Sequence, residues 1–152
     1  MADGLKFVPA EFFRGRIRGW GMERSRLGRI VAKFSWVSEG SWSEEHQAVH
    51  MDEVYSFADG REVKLNWVLY ADKHGDFVGV EAQRAASLKG RAVGDDFELT
   101  FEQPRAAGAR RSAFRSRMRY SLLDEGTALM WGPISRAGSL PAEVWGVLRH
   151  EP

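Results

Sequence analysis

The chain contains no cysteine, which excludes a disulfide framework, a thiolate zinc site, a cysteine nucleophile and a lipid-modified cysteine. Charge of either sign is not in excess: 22 basic residues stand against 21 acidic ones, so the balance points to neither a nucleic-acid nor a membrane-surface partner. No uninterrupted apolar stretch approaches bilayer-spanning length, and the opening MADGLKFVPAEFFRGR lacks the apolar segment of a signal peptide. The expectation is a soluble, cytoplasmic protein with no integral membrane segment. Histidine is scarce, and His46 and His50 would lie roughly 13 Å apart on a strand, too far for one metal ion. No H-E-x-x-H motif, no phosphate-binding glycine loop between a strand and a helix and no serine with an evident His/Asp partner is present. Neither a metal nor another cofactor is therefore expected.

Convincing helical period is almost absent too, and strict alternation takes its place. Val63, Leu65, Trp67 and Leu69 alternate with Glu62, Lys64, Asn66 and Val68, and Phe97, Leu99 and Phe101 alternate with Asp96, Glu98, Thr100 and Glu102. A period of two sends such sets to opposite faces of a sheet. Strand candidates run over about 11–20, 29–42, 47–57, 62–71, 76–82, 86–92, 96–102, 112–122, 127–136 and 142–149. Residues 1–10 read as an irregular lead-in and 11–152 as one domain, in line with the chain's length. Turn signals at Asp59-Gly60, Gly75, Gly94-Asp95 and Glu125-Gly126 join the strands as antiparallel neighbours. The connection from Gln103 to Arg111, with Pro104 and Gly108, is expected to be exposed and mobile. Phe114, Met118 and Leu122 also fit a helical stripe. A helix there would start at Arg110 and Arg111 and end at Asp124 and Glu125, against its macrodipole at both ends, so the segment is assigned as a strand. Many strands in one small chain must stack or close, because open edges invite aggregation.

The stretch from Phe12 to Phe34 resembles the opening of the bacterial family DUF3833, through Phe12, Phe13, Gly15, Trp20, Gly21, Arg26, Gly28 and Phe34. Further matches are Gly40-Ser41-Trp42, Glu53, Asp59-Gly60, Trp67, Gly90-x-Ala92-x-Gly94, Ser135-x-x-Gly138 and Glu143-Val144. The resemblance spans almost the whole chain and rests on the order of these short motifs. It implies a lipocalin-like (calycin-type) β-barrel; together with the alternation and the turns, the expectation is an all-β, antiparallel up-and-down barrel of about eight to ten strands. It implies no established activity. The chain departs from the family pattern at Ser25, at Leu65 where an Arg partner for Glu53 is usual, and at Gln83 and Arg84.

Two arginine stripes, at 14, 16 and 18 and at 115, 117 and 119, could form an anion-binding wall or an exterior ladder. Glu98 and Glu102 on the preceding strand favour the ladder. Glu53 shares a strand face with Val49, Met51, Tyr55 and Phe57, a set too apolar for the solvent side; its carboxylate is either a structural acid satisfied near the barrel rim or an inward group that anchors a ligand or moves a proton, and burial there needs a partner or a raised pKa. Glu53, Tyr55 and Tyr120 are the candidate polar groups of a ligand site, and Trp20, Trp67 and Trp131 its candidate aromatic lining. The leading expectation is a barrel that binds a small apolar or amphipathic, lipid-like molecule. One rival is an isomerase or cyclase of the same shape with a proton-moving carboxylate. Another is a filled barrel that serves as a protein-interaction module, and the oligomeric state is left open. A checkable consequence is that residues 47–57 and 62–71 pair antiparallel across Asp59-Gly60, which brings Glu53 and Trp67 to one wall.

Overall fold

In a computed structural model, described for residues 4–104 and 113–152, a short helix α1 (Pro9–Phe12) precedes ten strands. They are β1 (Gly15–Ser25), β2 (Ile30–Ser43), β3 (Ala48–Phe57), β4 (Glu62–Ala71) and β5 (Asp76–Glu81), then β6 (Ala86–Val93), β7 (Asp96–Gln103), β8 (Phe114–Asp124), β9 (Thr127–Arg136) and β10 (Ala142–His150). Each strand pairs antiparallel with the next, and β1 pairs with β10 to close the barrel. The all-β, up-and-down architecture expected from the alternation is thus the one observed. Among the described residues no helix is long and apolar enough to cross a membrane.

The β3–β4 hairpin has the expected register, with Glu53 opposite Leu65 and Met51 opposite Trp67. The Phe114 segment is a strand as assigned. It sets Arg119 against Glu98 and Arg115 against Glu102, with ion-pair distances of 2.5 and 4.0 Å on the outer face. Arg16 likewise meets Glu39 and Glu151 outside, each at 2.8 Å. Both stripes are exterior ladders. Residues 105–111 of the connection expected to be mobile lie outside the described residues.

The first strand begins later than expected. Instead of extending from residue 11, the chain makes one helical turn from Pro9, whose fixed φ suits a first helical position, and β1 starts at Gly15. The turn lets the adjacent Phe12 and Phe13 both point into the barrel, which two successive residues of a strand cannot do. The preceding residues are also part of the core: Phe7 is 3% exposed, stacks on Phe97 at 5.3 Å and donates its backbone N–H to the Gly94 carbonyl at 2.8 Å. Phe7, Phe12 and Phe13 together plug one end of the barrel.

Inward glycines make room for this plug. A Cβ on Gly40 would lie 1.7 Å from the Phe13 carbonyl oxygen, and one on Gly90 would lie 2.5 Å from the Phe97 ring. Phe97 is fully buried and touches Phe7, Phe13, Phe77 and Tyr120. Its replacement by Ala is expected to cost about 3–5 kcal/mol in urea unfolding. Arg119→Gln, on the exposed ladder, should leave the unfolding midpoint nearly unchanged.

Candidate ligand-binding site

Among the described residues the end opposite the plug is open. There the wall encloses a cavity of about 560 Å³, within the range of small-molecule sites. Its wall is mostly apolar, with Phe34, Phe57, Leu88, Leu99, Phe101, Met118 and Ile134 among the lining residues. Trp67 and Tyr120 form its floor, since each packs edge-on against Phe13 of the plug, with ring centres 5.5 and 5.7 Å away.

Glu53, Tyr55, Trp67 and Tyr120 all border this cavity. Glu53 and Tyr55 are two apart on β3 and therefore share its inner face. Trp67 reaches them from β4, and Tyr120 from β8 across the interior. The Glu53 carboxylate accepts a hydrogen bond from the Trp67 indole Nε1–H and a long one, 3.5 Å, from the Tyr55 hydroxyl. Burial raises the Glu53 pKa from an ordinary 4.5 to about 7, and the two hydrogen bonds only partly oppose the rise. Burial also raises both tyrosines, and the nearby Glu53 charge adds to it.

Trp20 and Trp131 are not part of this wall. On β1 the inward positions are Ile17, Gly19 and Glu23, so the even-numbered Trp20 faces out and is 41% exposed, under the Arg149 guanidinium. On β9 the inward positions are Ala128, Met130, Gly132 and Ile134. Trp131 lies between them on the outer face, stacked on Trp145 with ring centres 6.2 Å apart. Both corrections follow from strand parity, which the aromatic character of the side chains had outweighed.

The mouth carries charges that sequence reasoning missed. Arg136 makes a two-pronged ion pair with the nearly buried Glu23, at 2.5 and 3.1 Å. Arg61 packs over Phe57 and bonds Asp59 at 2.8 Å, while Arg84 donates to the Lys64 carbonyl at 3.3 Å. All three arginines line the entrance. The signal for Glu23 was available, because the period-two count that buries Ile17 also buries Glu23. Glu81, fully buried beside this end, is structural: its carboxylate accepts the backbone N–H groups of Asn66, Gln83 and Arg84 at 3.1, 3.1 and 2.7 Å. Among the described residues no three His, Asp or Glu side chains converge to hold a metal ion.

The family DUF3833, described as "Protein of unknown function", matches residues 2–139. The chain belongs to this family. Among solved structures, this DUF3833 protein is similar to the S-type phycobiliprotein lyase CPES from Guillardia theta, with a TM-score of 0.67 and 10% identity over 96% of this chain and 94% of that one. It is also similar to EF1p2_mFAP2b bound to DFHBI, with a TM-score of 0.51 and 8% identity over 93% of this chain and 96% of that one. At such identities the likeness is one of fold, and the fold is the lipocalin-like barrel that the family resemblance implies. No curated protein matches the chain.

The raised pKa has a thermodynamic consequence. A carboxyl that binds its proton more tightly in the folded state contributes fully at low pH, and that contribution is lost as pH rises from about the unfolded value of 4.5 to about 7. Glu53→Gln removes this dependence. Relative to the parent protein, the variant should gain about 3 kcal/mol between pH 5 and pH 8 in denaturant unfolding, an upper value set by the size of the shift.

Proposed function

We propose that this DUF3833 protein binds a small amphipathic molecule inside the barrel. The supporting observation is the aromatic-rich cavity, in which Glu53, Tyr55 and Tyr120 lie deep among apolar residues and the charged Glu23, Arg61, Arg84 and Arg136 lie at the mouth, an arrangement that sets affinity by apolar contact and orientation by hydrogen bonding. Trp67 supplies the apolar floor, while Glu53, Tyr55 and Tyr120 orient the polar end. The two solved barrels of similar fold lend support, because one of them holds a small molecule, DFHBI.

The test is titration of tryptophan fluorescence with medium-chain fatty acids, alcohols, amines and DFHBI. At least one should give a saturable change. Ser116→Trp, which would fill the cavity from β8, should abolish it, and Trp67→Ala should weaken binding by roughly tenfold, the equivalent of 1.4 kcal/mol. Absence of saturation by every member of the panel would overturn the proposal.

A second reading is favoured by one observation: a carboxyl whose pKa is near neutrality stands at the cavity wall, where it could move a proton in an isomerase or cyclase. In that case Glu53→Gln would abolish turnover of a bound substrate and leave its affinity within a few-fold. Turnover unchanged by this substitution would remove the reading.

A further inference from the structure

We infer that the cavity selects an apolar molecule bearing a protonated nitrogen, and that Glu53 is the group that receives it. The inference rests on the ligand-binding reading above and adds the charge and chemistry of the ligand's polar end.

Glu53 is short of hydrogen-bond donors. A carboxylate offers about four acceptor positions, yet this one takes a single close donor from Trp67 and a long contact from Tyr55. Among the described residues no Lys, Arg or His pairs with it, and burial is the largest influence on its proton. The described cations that line the entrance are engaged elsewhere, Arg136 by Glu23, Arg61 by Asp59 and Arg84 by the Lys64 carbonyl. The acid is thus a buried carboxyl with spare acceptor capacity that, once ionised, has no positive partner among the described residues.

Its cross-strand neighbours sharpen the point. Glu53 stands between Ser38 on β2 and Leu65 on β4. Ser38 is buried, and its hydroxyl oxygen has no hydrogen-bond partner. Directly opposed residues of an antiparallel pair hold their Cβ atoms about 5 Å apart, so Ser38 stands next to Glu53 in the wall, behind the residues that line the cavity. Buried polar groups are ordinarily satisfied, and each exception calls for a reason. An ammonium group has several N–H donors to offer and would fill the acceptor positions that Glu53 presents to the cavity.

The surroundings suit a cation as well. Tyr55 and Tyr120 border the same space, and aromatic faces attract positive charge. A carboxylate head group would instead meet a like charge in a low-dielectric pocket, and an alcohol would satisfy one hydrogen bond without relieving the charge. The groups facing Glu53 are Ser38 on β2, Tyr55 on its own strand, Leu65 and Trp67 on β4 and Tyr120 on β8. Of these only the tyrosines titrate, and both are held above their ordinary range. Glu53 alone therefore governs the pH response, and affinity for a cationic ligand should rise as pH climbs through about 7.

The experiment compares n-octylammonium, n-octanol and octanoate, one chain with three head groups, by tryptophan fluorescence on the full chain at about pH 8. The ammonium should bind roughly tenfold tighter than the alcohol, as a charge-assisted hydrogen bond allows, and octanoate should bind weakest. Glu53→Gln should bring the ammonium down to the level of the alcohol. Leu65→Lys, which sets a cation directly across from Glu53, should do the same with the acid still present, and thus answers the question if E53Q fails to fold. Alcohol binding with no ammonium preference would overturn the inference and leave the cavity reading standing. An ammonium preference that persists in both variants would also overturn it, because the cation would then be received elsewhere. If none of the three binds, the inference falls, and the wider panel of amphiphiles and DFHBI decides the cavity reading separately.

Discussion

Closure of the sheet through the pairing of β1 with β10 is the constraint on which the other features depend. Once the ladder closes, no strand edge is left to pair, and every second residue of each strand must face the interior. Ile17, Trp36, Val49, Leu69, Phe97, Met130 and Leu148 meet that requirement on seven different strands and are all buried. The outer face is free to carry charge, which the ladders of Arg16, Arg115 and Arg119 with their acidic partners display.

A ten-stranded barrel encloses more space than the strands' own side chains fill, and the two ends resolve this differently. At one end the chain folds its own beginning inward, so that Phe7, Phe12 and Phe13 pack against Phe97 and Trp67. Gly40 and Gly90 yield the necessary room. The other end has no such insert among the described residues, and the space there is the cavity. Plug and cavity are linked, since the floor of the site rests on the plug through Phe13.

The placement of polar groups follows the same division. Glu81 and Glu23, both near the open end, are compensated, one by backbone N–H groups and the other by Arg136. Glu53 is deeper and has only uncharged donors, so desolvation dominates and its proton is retained to near neutrality. This contrast among three buried acids of one barrel singles out Glu53 as the polar group whose chemistry is unfinished within the protein.

The residue pattern by itself determined the strands, the hairpin order and the inner wall of β3 and β4, because strand parity and tight turns are local properties of the chain. With Asp59-Gly60 as the turn, the approach of Trp67 to Glu53 followed from counting residues. The strand identity of Phe114–Asp124 was legible as well, through the charges at its ends. Tertiary structure decided the rest. Whether Phe7 is a loose lead or part of the core depends on a barrel end 90 residues away in the chain, at Phe97. The outward turn of Trp20 and Trp131 was within reach of parity but was obscured by their aromatic character, since an aromatic side chain fits equally well inside a core or stacked on an outer face beside Trp145 or under Arg149. The cavity itself has no sequence signature, because empty volume is the difference between the space that closure encloses and the sum of all side chains that enter it.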